Sequence, residues 1–114
     1  MAHVHHITEI SRTPWGTAQG HDVVAPGITF VYTESHGGIY LAAFRRAEMK
    51  QDSPELLEPS DFYPSRMGGA WFEEDCEAGR VVLAFPKDFD YAAINAAHDG
   101  LKFFHPDMIE RWKH

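Results

Sequence analysis

The chain has 114 residues, 44% hydrophobic and 13% aromatic, which suits one ordinary folded domain and argues against wholesale disorder. Its 17 acidic residues against 10 Lys and Arg give a formal charge of −7, the wrong sign for holding a phosphate backbone, so direct nucleic-acid binding is disfavoured. Cys76 is the only cysteine, so no intrachain disulfide can form, and no apolar run approaches the roughly 20 residues of a membrane span. A reducing, cytoplasmic setting without membrane contact is expected.

The chain reads as a single domain, 1–114, with residues 1–12 either mobile or an added edge strand around Val4 to Ile10. His3, His5 and His6 are scattered imidazoles that define no closed metal geometry. Thr13-Pro14-Trp15-Gly16 and Ala25-Pro26-Gly27 are turn signals, and a strand over Ala18 to Val24 lies between them. The β-rich run Ile28 to Thr33, the tight segment Ser35-His36-Gly37-Gly38 and then Ile39-Tyr40-Leu41 predict a hairpin with His36 at its tip.

Helical signals follow. Residues 42–51 are expected to form a helix that ends before Ser53-Pro54. Residues 52–69 are irregular, yet their Leu56, Leu57, Phe62, Tyr63 and Met67 argue that the segment is pinned down. Trp71 to Phe85 is long enough for a helix of about four turns, Asp88 can cap a second helix ending near His98-Asp99-Gly100, and Pro106 suits the first turn of a last helix over 106–113. Strands first and helices afterwards predict an α+β fold: an N-terminal antiparallel β-meander of three to four strands packed against C-terminal helices.

On a helical wheel over residues 71–85, Phe72, Cys76, Gly79 and Leu83 share one line while Glu73, Glu77 and Arg80 fall opposite, on the solvent side. Asp75 falls inside the apolar arc, where an ionised carboxylate needs partners. It is therefore expected to be mostly buried, accepting hydrogen bonds from the 35–38 loop or from the Trp15 indole. The catalytic alternative pairs His36 with Asp75 or Glu74, as a base and its orienter or as two metal ligands. Cys76 on the core line reads as an inert thiol. No Cys₂His₂ or His₃ spacing is present, so neither metal nor cofactor is expected. Trp71-Phe72 and Phe103-Phe104 read as core or core-edge pairs, with an exposed anchor for a partner as the alternative.

Three blocks carry a resemblance: Thr13-Pro14-Trp15-Gly16-Thr17-Ala18-Gln19, then Ala25-Pro26-Gly27-Ile28 running into Thr33-Glu34-Ser35-His36-Gly37-Gly38-Ile39, and Trp71-Phe72-Glu73-Glu74-Asp75-Cys76 with Leu83-Ala84-Phe85-Pro86. In these the chain resembles a small family of uncharacterised bacterial, plasmid and phage proteins, a domain of unknown function. The resemblance implies mobile-element company, in which short acidic proteins often inhibit host defence, anti-CRISPR proteins among them.

The expected function is that of a small acidic accessory protein of a phage or mobile element that binds another protein, such as a host defence or nucleic-acid-processing complex. The negative charge would steer it to a basic partner. Candidate binding residues are Trp15, His36, Gly37, Gly38, Trp71, Glu73, Glu74 and Asp75. The rivals are a small metal-dependent or acid-base enzyme centred on His36 with Asp75 or Glu74, and a structural or regulatory homodimer.

Overall fold

A computed structural model describes residues 11–57, 63–64 and 68–112. The segment from Val4 to Ile10, the amino-terminal histidines, Phe62 and Met67 lie outside the described residues. A small antiparallel hairpin, β1 (Arg12–Thr13) and β2 (Gly16–Thr17), comes first. Then β3 (Gly20–Ala25), β4 (Ile28–Tyr32) and β5 (Gly37–Leu41) form the expected meander. The turn between β3 and β4 places Gly27 at φ 82, a left-handed conformation that suits glycine. Helix α1 (Ala43–Asp52) follows, then a short 3-10 turn at Pro54–Leu57, and then β6 (Tyr63–Pro64) and β7 (Ala70–Glu73). Both of these strands join the same antiparallel sheet, in the order β3-β4-β5-β7-β6. Helices α2 (Ala78–Ala84), α3 (Tyr91–Phe104) and α4 (Pro106–Trp112) complete the α+β fold.

Register explains how the sheet can be buried on both sides. Phe30 lies opposite Ile39, and Ile39 opposite Phe72; one step along, Thr29 lies opposite Tyr40, and Tyr40 opposite Trp71. Because side chains alternate with period two, the first set joins the helical core and the second set faces away from it. The helical core unites Ile28, Ile39, Leu41 and Phe72 with Val81, Leu83, Leu101 and Ile109. On the opposite face Val31, Tyr40 and Trp71 cluster under Trp15 and Ala18 of the amino-terminal hairpin. Leu56, fully buried, pins the irregular segment into the helical core.

The expected helix over Trp71 to Phe85 is the main departure. Its first part is strand β7, residues 74–77 form a turn, and the helix is confined to Ala78–Ala84. The physical reason is packing on two sides: Trp71 and Phe72 must serve opposite faces of the sheet, which a strand allows. Asp88 does not cap a helix. It ends a 3-10 turn at Pro86–Asp88 and lies 3.3 Å from Arg45, while the Asp90 carboxylate caps α3 by accepting from the Ala93 N–H at 2.8 Å. Helix α3 also runs past Gly100 to Phe104, because Leu101 continues its buried stripe and Pro106 stops it. None of the described helices is long and apolar enough to cross a membrane.

Candidate functional site

One part of each sequence block, residues 13–16, 33–38 and 71–76, meets at one end of the sheet, while residues 25–28 turn at the other end. Thr13 fixes the first turn: its Oγ1 accepts the Trp15 N–H at 3.0 Å and donates to the Gly16 carbonyl at 2.8 Å. That turn lays the Trp15 indole edge-on against Trp71, with ring centroids 5.8 Å apart, while Tyr40 packs on the same Trp71 at 4.9 Å. Gly38 lies directly beneath the indole. Thr33 closes the β4–β5 loop: its N–H donates to the His36 carbonyl at 2.7 Å, and its Oγ1 accepts the His36 N–H at 3.2 Å. The loop is then tied to the acidic turn by the Glu74 N–H, which donates to the Gly37 carbonyl at 3.0 Å.

Within residues 73–76 two carboxylates exchange the roles expected of them. Asp75 is exposed, not buried, and Glu73 is the clamp. Glu73 Oε1 accepts the Asp75 N–H at 3.1 Å, the Cys76 N–H at 3.2 Å and the Cys76 thiol at 3.1 Å. A wheel phase taken from residue 71 has no meaning here, because the helix begins only at residue 78. Glu73→Ala is therefore expected to cost about 0.5 to 1.5 kcal/mol by removing the bonds that close the turn. Asp75→Ala should stay within about 0.5 kcal/mol. Denaturant melts of the two variants check this order, and the reverse order would restore Asp75 as the clamp.

Cys76 is half-buried, and its thiol is pushed up from 9.0 to about 12, first by burial and then by the Glu73 hydrogen bond and the nearby charges of Glu73, Glu77 and Asp75. The folded thiol thus keeps its proton where the unfolded one has lost it. The stability this contributes is complete below pH 9.0 and is lost as pH rises towards about 12. At mildly alkaline pH, alkylation of Cys76 by iodoacetamide should be at least about a hundredfold slower than that of a free thiol. Glu73→Gln should recover part of the rate. Model-thiol reactivity in the folded protein would contradict the assignment.

Trp71, Gly37 and Gly38 are buried and Trp15 is half-buried, so they build the framework, while His36, Glu74 and Asp75 project into solvent from it. Among the described residues His36 shares no hydrogen bond or ion pair with Glu74 or Asp75, and no three His, Cys, Asp or Glu side chains gather as a metal-binding group. The His36-centred catalytic pairing therefore has no bonded dyad in this geometry.

A different ionic group is buried nearby. Glu77 and Arg80, expected on the solvent side, are 5% and 0% exposed. Arg80 Nε lies 2.6 Å from Glu77 Oε1, an off-axis approach held by charge, and His105 Nε2 lies 3.0 Å from Glu77 Oε2, where the carboxylate accepts. The group joins the start of α2 to the α3–α4 junction, where the His105 carbonyl accepts the N–H groups of Met108 and Ile109. A carboxylate-oriented imidazole can serve as a base, but Arg80 already neutralises this carboxylate, and the arrangement reads as a clamp between elements. The legible signal was an Arg leading directly into Val-Val-Leu-Ala with Glu three positions before it.

Beside the acidic turn, a groove of about 260 Å³ runs between α2 and α3. A family model described as "Domain of unknown function (DUF7007)" matches residues 8–114, and the chain belongs to that family. No curated protein and no solved structure matches it.

Proposed function

We propose that this member of the DUF7007 family is a non-enzymatic accessory protein that acts by binding another protein through the end of the sheet carrying His36, Glu74 and Asp75. The observation behind this reading is the division of labour just described. Buried groups (Trp15 against Trp71, Gly38 beneath the indole, the Glu73 carboxylate) hold a rigid frame, and the exposed ionisable groups stand on it without engaging one another. A preorganised, charged, solvent-facing rim loses little entropy on association, and its charges set partner choice and encounter rate. The negative charge favours a basic partner. The mobile-element company implied by the resemblance makes a host defence or nucleic-acid-processing complex the leading partner class.

Affinity capture from a native host lysate, read by mass spectrometry, tests this. The parent should retain a specific protein that the double variant Glu74→Lys/Asp75→Lys loses. Capture of nothing by the parent, or of the same proteins by both, would overturn the reading.

A further inference from the structure

We propose that the groove between α2 and α3 is the docking site for a basic segment of the partner, one that seats an aliphatic side chain in the groove and places Lys or Arg against Glu74 and Asp75. This rests on the protein-binding reading above and names the chemistry of what is bound. The groove is lined mostly by small and apolar residues, Ala78, Gly79, Val82, Ala93, Ala97 and Gly100, together with the exposed carboxylates Glu74 and Asp75. Two glycines on its walls differ in the space around them. At Gly79 the helices touch, because an added Cβ would lie 3.2 Å from the Ala97 carbonyl oxygen and 3.2 Å from Leu101 Cγ. At Gly100 an added Cβ would meet nothing within 4 Å, so the groove stands open there.

Charge selects the occupant. Both carboxylates are exposed, and the whole chain carries −7, so an acidic peptide, a nucleic acid or a second copy of this chain would meet like charge. A basic, aliphatic segment meets complementary charge at Glu74 and Asp75 and apolar walls beside them. About 260 Å³ is enough room for an aliphatic side chain.

The test uses isotope-labelled full-length protein titrated with a short amphipathic lysine–leucine peptide, with its glutamate–leucine counterpart as the comparison. The lysine peptide should shift the amide signals of Ala78, Gly79, Ala96 and Gly100, and Glu74→Lys/Asp75→Lys should weaken it by about tenfold or more. Gly100→Leu, whose Cβ meets nothing within 4 Å, puts a larger side chain on the groove wall and should abolish the shifts, with an unchanged or raised melting point confirming the fold. Equal binding of the glutamate peptide, shifts that survive Gly100→Leu, or no shifts with the lysine peptide would overturn the proposal. If lysate capture by Gly100→Leu matches that of the parent, the groove assignment fails while protein binding stands; if the parent captures nothing, the broader reading fails.

Discussion

Arg80→Ala is expected to lower the unfolding free energy by about 3 to 5 kcal/mol, the usual cost of removing one partner from a buried ion pair. Arg80 is fully buried and its Nε lies 2.6 Å from Glu77 Oε1, so the substitution takes the guanidinium away from a carboxylate that is itself 5% exposed and has the His105 imidazole on its other oxygen. Desolvation of a carboxylate that has lost its guanidinium dominates, and loss of the buried guanidinium stem adds to it. A domain of this kind commonly has a total stability of about 5 to 15 kcal/mol, so the loss is a large share of it and the melting point should fall markedly. Replacing both partners, Arg80→Met with Glu77→Leu, removes the charge along with its counter-charge and should be more stable than Arg80→Ala. Urea unfolding of Arg80→Met, Glu77→Leu and the double closes the cycle. Additive losses would contradict a coupled pair.

Gly38→Ala should cost about 2 to 3 kcal/mol. Its new Cβ would press on the Trp15 indole and lie 2.5 Å from the Phe72 carbonyl oxygen, which belongs to the backbone of β7. The indole can swing aside, but the β7 backbone can move only by disturbing the β5–β7 ladder. Gly37→Ala, one residue earlier, meets the Phe30 ring at 3.1 Å and the Val31 carbonyl at 3.2 Å and should be milder. If Trp15→Ala rescued Gly38→Ala completely, the clash with β7 would be refuted.

The hairpin of β4 and β5 was legible because runs of β-branched and aromatic residues flank a short polar break, although Gly37 and Gly38 lie in β5 and the turn itself is residues 33–36. Strand β7 was not legible. Trp71-Phe72-Glu73-Glu74 continues without a break into the helix, and nothing local says that Trp71 and Phe72 must face opposite layers; that demand comes from Tyr40, Trp15 and the helical core, all distant in sequence. One misread boundary then misplaced every phase derived from it. Asp75 was assigned to the core, Glu73, Glu77 and Arg80 to solvent, and the structure reverses each: Asp75 is exposed, Glu73 half-buried, and Glu77 and Arg80 buried. His105 was not singled out, because its role depends on an ion pair 28 residues away along the chain. Residues 13–16, 33–38 and 71–76 do come together, but Trp15, Gly38, Trp71 and the Glu74 N–H join them, not Asp75.

The central claim is that Glu74 and Asp75 serve recognition and not stability. It is tested most directly by titrating the captured partner into the parent and into Glu74→Lys/Asp75→Lys at low and high salt, with urea midpoints measured on the same samples. The account predicts a dissociation constant at least about tenfold weaker for the variant at low salt, a gap that narrows as salt screens the rim, and stabilities within about 0.5 kcal/mol of each other. Equal affinities in a folded variant would contradict it.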